Sequence, residues 1–437
     1  MPFDRDTAAR RRRAVMDAIG PDAAAVFPAA PVALRSNDVE YRYRQDNDFY
    51  YLTGFLEPEA VCVLLPGQPQ SEEFVLFVQP RDPDRETWTG LRAGVEGATE
   101  RYGADIAYTV DKLDEKILAY VGERERLYCQ MGRHSAFTQR LLSWLQQWQT
   151  QRPRSGRGPT TVIDPSEILH EMRLFKDPAE LAAMRRAIAI AAEAHTAAMR
   201  AVRPGVHEYE IEALLDYTFR HQGGWGPAYP SIVASGSNAT ILHYVTNDRM
   251  MQAGDLLLID AGAEFDGYCA DITRTYPVET DFTDRQREIY ELVLRAQLRA
   301  IEAIRPGIRF EEVHHAALGV LVDGLVGLGL LCGSPTEIIE KELYKPLYMH
   351  RTSHWLGLDV HDVGKYKING ESRVLEPGMV LTVEPGIYVG HQARDADPRW
   401  AGIGVRIEDD VLVTESGHEV LSAAIPKTIE DVTAARA

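Results

Sequence analysis

The sequence predicts an α/β protein of two domains, and three observations support this prediction. The chain has 437 residues, which is more than one ordinary hydrophobic core accommodates. Short valine-rich runs alternate with long segments of helical periodicity along the chain. In the second half, a helix, the tripeptide RPG, a second helix and a strand that ends in an acid follow one another twice. A repeat of this kind indicates two similar halves.

Residues 1–150 carry the strand and helix signals of the first domain. VCVLLPG at 61–67 and FVLFVQP at 74–80 are short apolar runs bounded by glycine or proline, which is typical of buried strands. LLSWLQQWQTQ at 141–151 has the periodicity of a helix. The next stretch, QRPRSGRGPTT at 151–161, is rich in glycine, proline and polar residues, and we interpret it as a linker.

Four long helices and an internal repeat organise the second domain. The helical segments cover 177–202, 207–223, 281–304 and 310–329. AVRPGVHEYEIEALL resembles AIRPGIRFEEVHHAAL at an offset of 102 residues, and AGDLLLIDAG resembles PGMVLTVEPG at an offset of 124. Two matches in the same order predict pseudo-twofold symmetry, with a site where the halves meet. We interpret the helix histidines as surface residues: His221, His314 and His315.

Composition and charge argue against two classes of partner. Lysine and arginine number 47 against 65 acids, which gives a net charge of −18. Such an acidic chain gains no affinity by releasing counterions from nucleic acid. The longest apolar runs fall far short of the ~20 residues that span a bilayer, so no membrane segment is predicted. The four cysteines form no CxxC pair and no disulfide framework, which favours a reducing, cytoplasmic setting.

Two aspartates lie on neighbouring strands of a predicted hairpin. LLLID ends in Asp260, and GYCADITRTYPV carries Asp271. A turn at Phe265-Asp266 would place the two aspartates directly opposite each other, whereas a turn at Asp266-Gly267 would make them diagonal neighbours. Both registers leave the carboxylates on one face of the sheet. Because like charges repel there, either one carboxylate takes up a proton or a cation lies between them.

The second half adds two glutamates and a cluster of histidines. VLTVEPG contains Glu384, and GIGVRIEDDVLVT contains Glu408 beside Arg406. HRTSHWLGLDVHD at 350–362 holds three histidines, and spacing alone does not rank His350 against His354 as a ligand. Carboxylates with an imidazole suit Mn²⁺, Mg²⁺, Fe²⁺, Co²⁺ or Zn²⁺. Four acids and one histidine exceed the needs of one catalytic metal, so two metals ~3.5–4 Å apart fit the count better.

These residues resemble the five-ligand, dinuclear site of the pita-bread metallopeptidases, which include methionine aminopeptidase, prolidase and aminopeptidase P. TSHWLGLDVHDVG, LEPGMVLTVEPGIY and GIGVRIEDD look most like the aminopeptidase P and prolidase branch. The stretch at 35–60 resembles the N-terminal domain of bacterial aminopeptidase P, and HEMRLFKDPAEL at 170–181 resembles its domain junction. The resemblance implies an N-terminal α/β domain at 1–172 and a C-terminal pita-bread catalytic domain, with duplicated helix-helix-strand units, at 173–437. Arg351 departs from the pattern, because a small residue is expected there.

The resemblance also implies a role for each candidate ligand. Asp260 would chelate one metal, Asp271 and Glu408 would bridge both metals, and His354 and Glu384 would complete the second metal. The expected cofactors are two divalent ions, Mn²⁺ for an oxygen-rich shell, with Co²⁺ or Zn²⁺ as alternatives. A metal-bridging hydroxide would attack the carbonyl before proline, because bound metals lower the pKa of water toward ~7.

Further residues would bind the substrate or assist the reaction. Glu384 would pass a proton to the leaving nitrogen, and His361 would stabilise the oxyanion. The implied catalytic residues are His361, Glu384 and His243, and the implied substrate contacts are His243, His350, His361, Arg406, Tyr388, Asp38 and Trp88. Arg406 would connect the metal shell to Asp38. Trp88 would enter the site of a neighbouring subunit, which predicts a homodimer or homotetramer.

The function that the resemblance implies is hydrolysis of the bond between any N-terminal residue and a penultimate proline. One alternative is a prolidase, which is restricted to X-Pro dipeptides. A second alternative, from another class of protein, is an inactive pita-bread protein that binds a partner.

Overall fold

The computed structural model describes residues 4–69, 71–391, 393 and 397–436. It divides into two compact units, Met1–Glu171 and Met172–Ala437. The division comes one residue before the end of the predicted N-terminal domain at 172. Both units combine helices with strands, which confirms the predicted α/β class. None of the helices in the described part of the chain is both long enough and apolar enough to cross a membrane.

A six-stranded sheet forms the centre of the first unit. The strands of this unit are β1 (Ala23–Pro28), β2 (Leu34–Ser36), β3 (Val39–Glu40), β4 (Val61–Leu64), β5 (Phe74–Val78), β6 (Ile106–Thr109), β7 (Arg126–Tyr128) and β8 (Thr161–Ile163). The sheet order is β6-β5-β4-β1-β7-β8, and β2 pairs with β3 in a separate hairpin. The helices are α1 (Arg5–Ile19), α2 (Asn47–Thr53), α3 (Pro83–Thr89), α4 (Gly94–Glu100), α5 (Leu113–Gly122) and α6 (Ser135–Ser155), and α7 (Ser166–Leu174) contains the division between the units.

The predicted linker at 151–161 is wrong. Helix α6 continues to Ser155, and β8 begins at Thr161 and pairs with β7 in the central sheet. The proline in this stretch, Pro153, lies in the last turn of α6, and Gly156 ends the helix with a left-handed φ of 69°. Proline and glycine near a helix end are ordinary termination signals. The composition therefore marks a helix C-terminus and a short loop.

The second unit contains six helices and thirteen strands among its described residues. The helices are α8 (Pro178–Ala201), α9 (Glu208–His221), α10 (Asp284–Ala303), α11 (Phe310–Gly327), α12 (Pro335–Glu340) and α13 (Ile429–Arg436). The strands are β9 (Gly226–Pro227), β10 (Ile232–Ser235), β11 (Leu256–Asp260), β12 (Ala263–Phe265), β13 (Tyr268–Cys269), β14 (Thr273–Pro277), β15 (Lys367–Ile368), β16 (Glu371–Ser372), β17 (Val380–Val383), β18 (Gly386–Tyr388), β19 (Gly404–Arg406), β20 (Asp409–Thr414) and β21 (Gly417–Val420). Helices α8 to α11 occupy the four helical segments that the sequence predicts.

The predicted repeat recurs in the backbone hydrogen bonds of the two halves. After α8, the amide of Gly205 donates to the carbonyl of Met251 at 2.9 Å. After α10, the amide of Gly307 donates to the carbonyl of Leu375, also at 2.9 Å. The donors are 102 residues apart and the acceptors 124 residues apart, which are the offsets of the two sequence matches. The halves therefore share a backbone frame as well as a sequence pattern.

Candidate active site

The first carboxylate pair lies on a hairpin closed at Asp266-Gly267. Both turn residues have positive φ, 49° and 82°, as a type I′ hairpin turn requires. Asp260 pairs with Thr273 in this register, so Asp260 and Asp271 are diagonal neighbours, which is the second of the two predicted alternatives. Gly262 lies opposite Asp271 in this hairpin, where the two strands are close together. A Cβ on Gly262 would lie only 1.7 Å from the carbonyl oxygen of Ala270, so a larger residue does not fit there.

The second pair is held at the junction of four strands. Val383 of β17 pairs with Asp409 of β20, and Gly386 of β18 pairs with Arg406 of β19. Glu384 and Glu408 lie between these pairs, and the same register makes them direct neighbours across the strands. Thr273 on β14 donates its hydroxyl to Glu408 Oε2 at 2.6 Å. The carboxylates of the two halves therefore converge.

The structure distinguishes His354 from His350. The His354 Nδ1 atom lies 2.9 Å from the carbonyl of Trp355, which leaves Nε2 facing Asp271 Oδ2 at 3.3 Å and Glu384 Oε1 at 3.6 Å. In His350, Nδ1 lies 2.8 Å from the carbonyl of Arg351 and Nε2 lies 2.8 Å from the hydroxyl of Tyr388. Both ring nitrogens of His350 are thus engaged, whereas His354 presents one nitrogen to the acids.

A cavity of about 300 Å³ brings the predicted residues together. It is lined by Leu242, His243, Asp260, Asp271, His350, Arg351, Ser353, His354, His361, Glu384, Arg406 and Glu408. The lining includes all five predicted ligands, three further predicted histidines and Arg406. Tyr388 is buried behind it, where its hydroxyl accepts a hydrogen bond from Arg406 Nη1 at 3.0 Å. Asp38 and Trp88 belong to the first unit, where both side chains are exposed, and their site roles stay predictions.

Burial and mutual repulsion perturb the pKa values of the acids. Burial raises the pKa of Glu384 to about 7 and that of Glu408 well above its ordinary value. Burial also raises the pKa of Asp260, although Arg406 donates to its Oδ2 at 2.6 Å. Burial opposes protonation of His354, but Asp271 and Glu384 outweigh it and raise the pKa of this imidazole to about 9. The cluster therefore holds excess negative charge that a cation can neutralise.

The donor set fits divalent metal ions. Asp271, His354 and Glu408 each offer one ligand atom, and these three atoms lie within 4.8 Å of one another. Four carboxylates line the cavity, whereas the described lining residues contain only two arginines, Arg351 and Arg406. Buried carboxylates are stable when they are paired or coordinate metals. Oxygen donors with one imidazole match the preferences of Mn²⁺, Co²⁺ and Zn²⁺.

Two residues of the cluster escaped the sequence analysis. The hydroxyl of Tyr229 lies 2.6 Å from Asp260 Oδ1 and 2.6 Å from Asp271 Oδ1, so it joins the two aspartates. Asp410 is fully buried, and its Oδ2 accepts from the backbone amide of Asp271 at 3.2 Å. Asp410 could have been suspected from its place in the acidic run IEDD, whereas a single tyrosine in a loop carries no signal.

The prediction that His314 lies on the surface is wrong, while His221 and His315 are exposed as expected. His314 is 6% exposed, and its Nδ1 lies 2.8 Å from the hydroxyl of Thr352. The same hydroxyl lies 2.7 Å from the hydroxyl of Tyr348, and the carbonyl of Thr352 accepts from the amide of Glu384 at 2.8 Å. His314 therefore supports the back of the cavity.

Known proteins match the chain over nearly its whole length. The model of metallopeptidase family M24 matches residues 182–415, and the aminopeptidase P N-terminal domain matches residues 8–128. The Xaa-Pro aminopeptidase of Escherichia coli K12 is 44% identical over 425 residues, which cover 97% of this chain and 96% of that relative. The structure of Pseudomonas aeruginosa aminopeptidase PepP matches with a TM-score of 0.97 and 48% identity, covering 100% of this chain and 99% of that chain. A zinc-substituted E. coli aminopeptidase P in complex with product matches with a TM-score of 0.95 and 43% identity, again covering 100% and 99%. These matches confirm the predicted fold, an N-terminal α/β domain followed by a pita-bread catalytic domain.

Proposed function

Because the chain belongs to metallopeptidase family M24, we propose that it is an Xaa-Pro aminopeptidase, which releases an N-terminal residue that precedes proline. The observation that carries this proposal is the cavity of about 300 Å³ in which the five candidate ligands meet His243, His350 and His361. An inactive binding protein would have no need of this convergence of acids, and the relatives named for Xaa-Pro cleavage favour the aminopeptidase over a prolidase.

The proposed cofactors are two divalent ions, held by Asp260, Asp271, His354, Glu384 and Glu408. Two dications bring four positive charges, which offset the four carboxylates of the cavity lining. We propose Mn²⁺, with Co²⁺ or Zn²⁺ as substitutes, because oxygen donors dominate the set. When bound, the ions supply a nucleophilic hydroxide at neutral pH and polarise the scissile carbonyl.

The residues of the chain then orient the substrate and move the proton. Glu384 lies on the cavity lining among the proposed metal ligands, and from there it would pass a proton to the leaving nitrogen. His361 and His243 are exposed on the cavity lining, where an extended peptide can reach them. The ring centroids of His361 and His354 lie 4.4 Å apart, so His361 is next to a proposed metal ligand. From this position His361 would contact the oxyanion that forms beside the metals.

A hydrogen-bond chain fixes the remaining substrate contact. Arg406 donates to the hydroxyl of Tyr388, and His350 donates through Nδ1 to the carbonyl of Arg351. His350 Nε2 therefore accepts from Tyr388. Burial and the charge of Arg406 lower the pKa of His350 to about 3, so this imidazole is neutral at working pH. A neutral, fixed ring suits contact with an apolar proline.

We further propose a cytoplasmic homodimer or homotetramer that acts on peptides, with no role in binding nucleic acid or membranes. Trp88 on α3 is 88% exposed and Leu91 beside it is 83% exposed. Two large apolar side chains this exposed are what a subunit contact would cover. Light scattering tests the assembly, and a monomer would contradict it.

Peptide cleavage with and without metal tests the function. The purified protein is stripped with EDTA, reloaded with Mn²⁺, Co²⁺ or Zn²⁺, and assayed on X-Pro-Y-Z, X-Pro and X-Ala-Y-Z. We expect metal-dependent release of X from both proline substrates and none from the alanine control. Cleavage of X-Pro alone would identify a prolidase. Cleavage that EDTA leaves unchanged would contradict the metal mechanism, and elemental analysis reports whether two ions bind per chain.

A further inference from the structure

The segment that carries His243 has little regular structure of its own. It follows the 3₁₀ helix Gly236–Thr240 and runs to Met250 without entering a further helix or strand longer than a single bridge. His243 itself is exposed, and so are its neighbours Ile241 and Val245. An exposed segment of this kind is mobile unless other groups hold it. A catalytic contact on it needs an anchor, because small displacements of such groups are costly.

Glu208 provides that anchor. It is the first residue of α9 and is 0% exposed. Its Oε1 accepts from the amide of Ser235 at 2.7 Å, from the hydroxyl of Ser235 at 2.7 Å and from Nδ2 of Asn238 at 3.2 Å. Its Oε2 accepts from the hydroxyl of Tyr244 at 2.8 Å and from the amide of Arg249 at 3.0 Å. One buried carboxylate thus bonds Ser235 and Asn238 just before the segment and also holds the middle and the end of the segment.

The contact nearest to His243 is the one with the adjacent residue. Tyr244 donates its phenol hydroxyl to Glu208 at 2.8 Å, which places a fixed side chain directly after His243 in the chain. Hydrogen bonds to a charged acceptor are about twice as strong as neutral ones. Among the bonds of Glu208, the one to Tyr244 is therefore closest in the chain to His243, while the buried Asn247 holds the segment further on through Val233 and Ser231.

The second half of the molecule shows that the fold does not require a carboxylate here. The amide of Glu208 donates to the carbonyl of Arg249 at 3.0 Å, and the amide of Phe310 donates to the carbonyl of Arg373 at 2.7 Å. These two bonds are related by the repeat offsets of 102 and 124 residues. Phe310 instead packs its ring against Trp355. The same backbone position thus carries an apolar side chain in the second half, where it contacts its segment by ring packing on Trp355 and Tyr366 and not through a carboxylate.

We propose that Glu208 is a positioning residue, which acts through Tyr244 to hold His243 at the cavity; this inference rests on the proposed function of His243. Tyr244→Phe removes the bond to the carboxylate and keeps the ring. Glu208→Gln keeps the shape of the side chain and removes its charge. Glu210→Gln is the matched control, because this exposed acid of the same helix turn bonds only His207 among the described contacts and glutamine can still cap the helix.

A double-mutant cycle separates positioning from general damage. We expect Tyr244→Phe to lower kcat/KM on X-Pro-Y-Z by about 10-fold in the wild-type background, since misplacement by about 1 Å can reduce rates by about 100-fold. In the His243→Ala background, the same change should lower kcat/KM by less than about twofold, because coupled residues are not additive. Glu210→Gln should leave kcat/KM unchanged in both backgrounds. An equal loss from Tyr244→Phe in both backgrounds overturns the proposal.

Hydrogen exchange gives a readout that needs no activity. Peptides covering residues 241–249 should exchange faster in Tyr244→Phe and in Glu208→Gln, while peptides of α8 and β11 keep the wild-type exchange rate. If the wild-type protein cleaves no X-Pro peptide, the proposed function fails, and exchange alone then decides the role of Glu208. If the exchange rate of residues 241–249 is unchanged in Tyr244→Phe, the proposed role of Glu208 is wrong. This outcome can be measured even if Glu208→Gln does not fold.

Discussion

Replacing Asp362 by asparagine should destabilise the second unit strongly. Asp362 accepts from Arg173 Nη2 at 2.7 Å and from Lys176 Nζ at 2.9 Å, and all three side chains are 1% exposed. The fit is tight, because a Cβ on Gly357 would lie 2.1 Å from Asp362 Oδ2. The two cations hold the pKa of this carboxyl below its usual value although burial acts in the opposite direction. Asparagine removes the negative charge that both buried cations face at hydrogen-bond distance.

The size of the effect follows from the burial of the pair. Removing one partner of a buried ion pair lowers the free energy of unfolding by about 3–5 kcal/mol. In a unit of roughly 250 residues, 1 kcal/mol lowers Tm by about 2 °C, so the expected decrease is about 6–10 °C. Asp359→Asn is the control. Asp359 bonds the same Arg173 at 2.8 Å, but its side chain is 39% exposed, and pairs that solvent reaches contribute about 1 kcal/mol or less.

Calorimetry of the metal-free, full-length variants in EDTA measures the effect without stabilisation by bound metal. The reasoning predicts a large decrease in Tm for Asp362→Asn and a decrease of at most about 2 °C for Asp359→Asn. Equal decreases for the two variants would refute it, because the argument depends on the difference in burial between two acids that share one arginine.

Three further predictions concern catalysis, pH and packing. Glu384→Ala should lower kcat by about 100-fold or more with an unchanged circular dichroism spectrum, and near-normal turnover would refute its proton-transfer role. Burial lowers the pKa of His195 from 6.5 to about 4, so the unfolded chain binds the proton first as pH falls. The free energy of unfolding should therefore decrease by about 3 kcal/mol between pH 6.5 and pH 4, and urea titrations of His195→Gln should show a smaller decrease. Thr352→Val should cost about 2 kcal/mol or more in urea unfolding, because His314 and Tyr348 lose their shared partner, whereas Thr352→Ser should cost about 1 kcal/mol, and equal costs would contradict this.

Site residues could be predicted from the sequence where an acid lies among neighbours whose pattern indicates burial. An aspartate that ends a strand of four aliphatic residues is expensive to bury without a partner, and this conflict singles out Asp260. The Asp266-Gly267 dipeptide is a hairpin turn signal, and the period of two places Asp271 on the same face of the sheet. Local rules therefore lead to the first carboxylate pair on one face of the sheet, whereas the structure decides between its two registers.

Tertiary contacts could not be predicted in this way. Tyr229 lies 31 residues before Asp260, and Glu208 lies 27 residues before Ser235, so no helical or strand period links either pair. His314 is a different case, because α11 also buries Val313, Ala317 and Leu318, and the helical period places His314 on that face. The prediction that His314 is exposed followed from the polarity of histidine, whereas the helical period of α11 correctly indicates that it is buried.

The duplicated backbone explains where the acids lie but not how they differ. Asp260 and Glu384 are 124 residues apart, so they occupy equivalent strand ends in the two halves. The other two acids break the symmetry, since Asp271 is diagonal to Asp260 whereas Glu384 and Glu408 are directly opposed. If the two halves repeated the site strictly, the two carboxylate pairs would have the same register and would be related by the pseudo-twofold axis. Two metal positions between them would then be equivalent. The observed registers instead make the two halves of the cluster unequal, and His354 approaches Asp271 and Glu384 from the second half. Unequal surroundings are what a reaction needs when its nucleophile and its leaving group require different partners.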